Sequence, residues 1–309
     1  MLKFIFLAAL LPFLAQAEVR VARCSFYIHP MFGYGCAVGD LDFVAGDELQ
    51  ITGTHIVGRN NENVLFVEIA NSTIEVIPQQ YFINFRNINR FQATEVSLST
   101  LNRLGNCENL ETLVLSSNNL QTIANDIFAD CSNLLNLQLQ SNVIASLSRF
   151  ALRGLSKLRI LNLNNNDIDV INADLFTETP ELLDLGISNN NLETLNSRTL
   201  TPITNLEILR MANNRFTILN VNILETLTQL QTLLLNGNQF DNFQANFFRH
   251  LPNLRQLNLN DNLVSATLIL GNKIKFYINS TFLAYIDSPT SIWSKSPPCQ
   301  LNHGQQPHR

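Results

Sequence analysis

Apolar residues recur along this chain at a fixed spacing. Leu110, Leu113, Leu115, Leu120 and Ile123, with Asn118 between them, trace the pattern LxxLxLxxNxLxxL. The same pattern returns from Leu134, Leu158, Leu182, Leu206, Leu230 and Leu254, each start 24 residues after the last. Two degenerate copies precede them, Val64–Ile77 with Ser72 in the Asn place and Ile88–Leu101 with Val96 there. Within LxxLxL, alternate residues share a face, as in a strand. One such strand cannot bury its apolar face alone, so successive turns must stack into a parallel sheet. Nine repeats are expected over residues 62–264.

The Asn column (Asn118, Asn142, Asn166, Asn190, Asn214, Asn238 and Asn262) falls where each strand turns the corner. An amide both donates and accepts, so a stacked ladder of them can satisfy backbone groups that the bend would strand inside. A second apolar column, Phe128, Leu152, Phe176, Leu200, Leu224 and Phe248, is expected to fill the outer side. Bulk outside and strand spacing inside should curve the coil, leaving the sheet on the concave wall.

These motifs resemble extracellular leucine-rich-repeat proteins of the 24-residue type, among them Toll-like receptor ectodomains and the leucine-rich immune proteins secreted by insects. The resemblance implies a leucine-rich-repeat solenoid, a curved α/β-type repeat fold with a parallel β-sheet on the concave face and a mostly irregular or short-helical convex side. It also implies a binding role in innate immune recognition. Relatives often carry four-cysteine caps at both ends; here the N-terminal cap has two cysteines and the C-terminal one is missing. The helical coiled coil of some insect relatives is absent too, which puts their pairing mechanism in doubt for this chain.

Met1–Ala17 reads as a secretory signal, with Lys3 ahead of an apolar run and Ala15-Gln16-Ala17 as the cleavage site. The run is too short to span a bilayer, and no later stretch serves as a membrane span. Secretion to the extracellular space is therefore expected. Asn71 and Asn279 stand in glycosylation sequons, which fits that compartment. Beyond the leader the organisation reads as an N-terminal cap over 18–61, the repeats, a degenerate repeat or cap over 265–287, and a flexible tail over 288–309. Ile278, Thr281 and Leu283 keep the 24-residue phase and suggest a tenth strand.

Cys24 and Cys36 bracket a short aromatic segment, and a bridge between them would close a loop of about a dozen residues and cap the first repeat. Cys107 and Cys131 are equivalent positions of adjacent turns, within disulfide reach. Their column is otherwise mostly apolar and parallel side chains aim poorly at one another, which favours two buried thiols. Cys299 has no evident partner; it serves either an intermolecular disulfide, and so a covalent dimer, or a capped thiol.

Outward positions of the strands form three columns of mainly amides and hydroxyls. Five residues over four repeats depart from that: Ile160, Asp184, Ile208, Arg210 and Leu234. Apolar groups around one acid and one Arg have the composition of an interaction hot spot, although single apolar side chains on a surface are also ordinary. These five are the candidate ligand-binding residues. With 20 basic against 25 acidic residues, a net charge of −5 and no basic block, composition favours an extracellular protein or glycan as partner and argues against nucleic acid. No catalytic motif, metal-ligand spacing or cofactor loop is present, and none of the five His is expected on the wall beside a Ser, Cys or acid. The expectation is a binder and not an enzyme, with no cofactor. A developmental or adhesive matrix factor and an inhibitor of a secreted enzyme are the alternatives.

Overall fold

The computed structural model describes residues 17–243, 247–263, 275–278 and 281–283. The elements are β1 Val19–Arg23, β2 Ser25–His29, β3 Gly33–Val38, β4 Asp42–Phe43, β5 Glu48–Thr52, β6 Phe66–Ile69 and β7 Thr73–Ile74. The short helix α1 Gln80–Asn84 follows, then β8 Arg90–Ala93, β9 Thr112–Val114, β10 Thr122–Ile123, β11 Asn136–Gln138 and β12 Ser146–Leu147. The remaining strands are β13 Ile160–Asn162, β14 Asp184–Gly186, β15 Ile208–Arg210, β16 Thr232–Leu234, β17 Gln256–Asn258, β18 Lys275–Ile278 and β19 Thr281–Leu283.

One sheet of 13 strands runs the length of the coil, in the order β19-β18-β17-β16-β15-β14-β13-β11-β9-β8-β6-β3-β2. Its nine repeat strands pair parallel, and from β9 to β17 each residue faces its counterpart 24 positions on, as in Leu137 against Leu113 and Leu161. Beneath the sheet, Leu113, Leu137, Leu161, Leu185, Leu209, Leu233 and Leu257 are wholly buried. Opposite them, Phe128, Leu152, Phe176, Leu200 and Leu224 are buried under turns, while Phe248 is half-buried. Strands stack at about 4.8 Å, and bulky groups hold the other side further apart, so the sheet is the concave wall.

The asparagines work as the pattern requires. Asn190 accepts from the backbone N–H of Ile168 at 3.1 Å and donates to the carbonyls of Leu163 at 3.0 Å and Ile187 at 3.1 Å. Ile168 and Leu163 belong to the preceding turn, so each amide joins two turns. The same arrangement recurs at Asn142, Asn166, Asn214, Asn238 and Asn262. Asn118 accepts from both Val96 and Leu98, which serves the turn whose own ladder position is the apolar Val96. Ser72 makes the reduced version, accepting from Leu41 and donating to Ala70.

Two features of the corners go beyond the expected ladder. The residue before each ladder Asn has positive φ: Ser117, Ser141, Asn165, Asn189, Asn213, Gly237 and Asp261 lie between 53° and 68°. Short polar residues tolerate that conformation, and Gly237 also leaves room for the Asn213 side chain. At the other corner a second set of amides, Asn87, Asn109, Asn133, Asn205 and Asn253, donates to carbonyls of the preceding turn at 2.6–3.1 Å.

At the N-terminal end, the antiparallel β2–β3 hairpin continues the sheet, with β3 parallel to β6. A disulfide joins Cys24 to Cys36, Cα atoms 5.1 Å apart. Cys107 and Cys131 are also joined, which corrects the expectation of buried thiols: stacking brings their Cα atoms to 4.7 Å, within the range a disulfide spans. At the far end β18 pairs parallel with β17, setting Phe276 against Leu257. That is a step of 19 residues, so the tenth strand comes earlier than the 24-residue phase of Ile278, Thr281 and Leu283 suggested. β19 then returns antiparallel to β18. Residues 1–16 of the leader, Asn279, Cys299 and the 288–309 tail lie outside the described residues.

Replacing Asn190 by Leu leaves the Ile168 N–H unsatisfied in a buried corner, while the Leu163 carbonyl keeps the Asn166 amide. We expect a loss of about 1–3 kcal/mol in denaturant unfolding, the cost of one orphaned backbone group. Exchanging both Cys107 and Cys131 for Ala opens a 24-residue loop and should cost about 3 kcal/mol, read as a lowered midpoint under non-reducing conditions.

Candidate functional site

Alternation along each three-residue strand sends one Leu inward and two side chains out, and the register aligns the outward ones into columns. Ile160, Asp184, Ile208, Thr232 and Gln256 follow one another in the first column. Gly186, Arg210 and Leu234 follow in the next. The five candidate residues are therefore brought together on β13 to β16.

Their chemistry is not that of two free charges. Arg210 reaches diagonally to the Asp184 carboxylate and forms an ion pair with it. Gly186, beside Arg210 in the register, puts no side chain in the way. A Cβ there would meet the Asn164 amide at 2.7 Å, and Asn164 is held in place by accepting from the Ser188 backbone N–H at 2.7 Å. Around this neutralised pair Ile208 and Leu234 are half-buried and Ile160 is 37% exposed. Toward β11 the wall turns to amides bonded to each other, Asn162 donating to Gln138 at 3.1 Å and Gln138 to Asn136.

The N-terminal end of the wall carries a cluster that the sequence pattern does not reveal. The tip of the β2–β3 hairpin brings His29 and Phe32 over the outward face of Phe66, whose ring is 5.8 Å and 6.0 Å from theirs; Tyr27 packs against it at 5.3 Å. Phe66, an outward position, is consequently only 2% exposed. Gly35 makes this possible, because a Cβ there would lie 2.2 Å from the Phe66 ring. His29 thus lines the wall beside Glu68 and Arg90, a correction to the expectation that no His meets an acid there. The hairpin, held by Cys36, folds residues of the cap across the first two rungs. The spacing of Cys24 and Cys36 around an aromatic stretch is the only signal in the sequence that points to it.

Among the described residues no group of three His, Cys, Asp or Glu side chains could hold a metal ion. Asp184 is committed to Arg210, and the Glu68 carboxylate accepts from the Tyr27 hydroxyl at 3.4 Å. No helix among them is long and apolar enough to cross a membrane. The wall is a scaffold of side chains aligned in columns by the strand register.

The leucine rich repeat family model matches residues 108–168, 156–216 and 204–264. None of the curated proteins matches the chain. Among solved structures, the crystal structure of a TLR13–ssRNA13 complex aligns with a TM-score of 0.62 and 27% identity, covering 75% of this chain and 32% of that one. This chain thus spans about a third of that neighbour's length. The complex overturns one expectation: net charge argues against nucleic acid, yet a similar solenoid is found bound to single-stranded RNA. Net charge sums over the whole surface, whereas a solenoid binds through a local stretch of wall, so the sum does not exclude the ligand class. The three overlapping matches run from residue 108 to residue 264, half of the chain, and on that ground the protein belongs to the leucine rich repeat family.

Proposed function

We propose that this chain is a secreted recognition module that holds a ligand on its concave wall, in innate immune recognition. The observation that supports this reading is the convergence of Ile160, Ile208 and Leu234 around the Asp184–Arg210 pair on four consecutive strands. Apolar groups flanking an Arg whose charge is already balanced suit a desolvated contact, because the pair need not be broken to exclude water around it. The wall of amides beside it offers donors and acceptors to a polar protein surface or a glycan. The immune part of the reading is supported by likeness to the TLR13 solenoid, whose complex also keeps single-stranded RNA among the ligands to be tested.

Secretion is supported by the leader Met1–Ala17, and glycosylation by the sequon at Asn71, which is exposed just past β6. A glycan there would keep a large partner toward the middle of the wall, where the patch lies.

The test uses the protein expressed with its leader in cultured animal cells, immobilised from the medium, and offered extracellular fluid and a single-stranded RNA oligonucleotide in separate arms. Ile208→Ala with Arg210→Ala should be secreted at the level of the unaltered protein. Its capture of the ligand should fall at least tenfold, since truncating a hot-spot residue costs about 2 kcal/mol or more. Asn71→Gln should lower the apparent mass and leave capture intact. Equal capture by the double variant would remove the patch from the binding surface, and an unchanged mass for Asn71→Gln would remove the glycan.

A further inference from the structure

The recess at the N-terminal end of the wall is separate from the patch on β13 to β16. It encloses about 200 Å³ and is lined by His29, Phe32, Phe66, Glu68, Arg90 and Gln92, with Val67 beneath. That is room for a group of amino-acid size.

Its charges are arranged in an unusual way. Phe66 faces Arg90 and Glu68 faces Gln92 across the parallel strands β6 and β8, so Glu68 and Arg90 are diagonal neighbours, about 8 Å apart at the backbone. Opposite charges so placed ordinarily pair, but among the described residues neither forms an ion pair. The Arg90 guanidinium instead donates to the Gln92 side-chain carbonyl at 3.0 Å and lies over the Phe32 ring at 4.5 Å. The Glu68 carboxylate takes the Tyr27 hydroxyl. Each charge is thus held by a neutral partner. Burial pulls the Arg90 pKa down, against an opposing pull from Glu68. Burial, and then Glu68, pushes the Tyr27 hydroxyl up.

Partly dehydrated charges held by neutral groups gain most from a ligand of opposite charge. His29 adds a donor: its Nδ1 accepts from the backbone N–H groups of Met31 at 3.1 Å and Phe32 at 3.3 Å, which leaves Nε2 to carry the ring proton. The Gln92 carbonyl is taken by Arg90, so its amide N–H₂ is a further donor. Donors therefore gather on the Arg90 side, and the single anionic acceptor lies on the Glu68 side.

We propose that this recess is a binding site for a small zwitterion, a free α-amino acid with an apolar side chain, its carboxylate on Arg90, its ammonium on Glu68 and its side chain against Phe32. A carboxylate alone would leave Glu68 facing it across the recess, and an ammonium alone would face Arg90. Only a molecule carrying both charges close together meets both. A peptide end carries one of them, so the proposal distinguishes a free amino acid from a polypeptide terminus.

The test is isothermal titration of the unaltered full chain with phenylalanine, N-acetylphenylalanine and phenylalanine amide, the last two keeping only the carboxylate and only the ammonium. Phenylalanine should bind saturably and each analogue at least tenfold more weakly, as expected for loss of one charge-assisted contact. Arg90→Gln and Glu68→Gln should each weaken phenylalanine by a similar factor, and the analogue series stands without them if either variant folds poorly. Equal binding of N-acetylphenylalanine would make the recess a carboxylate site and overturn the proposal. Equal binding of the amide, or no saturable heat up to about 10 mM phenylalanine, would overturn it as well.

Discussion

Every turn of this coil must bend its backbone at the end of a strand while keeping that bend inside the protein, and a bent backbone inside carries N–H and C=O groups with no regular partner. The ladder asparagines meet that demand. Each supplies an acceptor to a backbone N–H of the turn before and donors to carbonyls of both turns, so the corner is satisfied only when two turns are stacked. Stability is consequently shared between neighbours, and one isolated repeat would have neither its apolar face covered nor its corner bonded. The aligned wall, and any ligand it holds, follows from this local coupling repeated along the chain.

What the sequence made legible tracks what is periodic. The Leu columns, the Asn ladder, the outer Phe and Leu column and the grouping of Ile160, Asp184, Ile208, Arg210 and Leu234 all follow from one step of 24, because register alone carries each residue to its counterpart. The contacts that were not legible depend on side-chain direction or on a break in the repeat. The Asp184–Arg210 pair needs a diagonal reach past Gly186, and column positions do not specify a diagonal. The Cys107–Cys131 bond depends on whether two stacked side chains point at each other, which spacing leaves open. The His29 and Phe32 contacts arise from a hairpin outside the repeat, where nothing periodic says which face it covers. At the other end the step of 19 to β18 departs from the very period used to expect it.

The two ends of the wall are built on different principles. In the middle, charge is neutralised within the protein and apolar groups stand around it, an arrangement suited to excluding water against a large partner. At the N-terminal end, charge is kept apart by neutral partners in a recess of limited volume, an arrangement suited to a small polar molecule. The strand geometry is the same in both places. The difference lies in one diagonal: Arg210 reaches its acid across a glycine, whereas Arg90 is held back by Gln92 and Phe32.

The most direct test of the stacked, amide-bonded coil is native-state hydrogen exchange at the backbone N–H groups of Ile144, Ile168, Leu192 and Phe216, which lie outside the wall strands and donate to the ladder side chains of the next turn. They should be protected to the same degree as the amides of Leu163 and Ile187, each one residue past the end of a wall strand, which bond to the neighbouring turn's backbone. Exchange at the rate of open loops, with the strands still protected, would contradict the account.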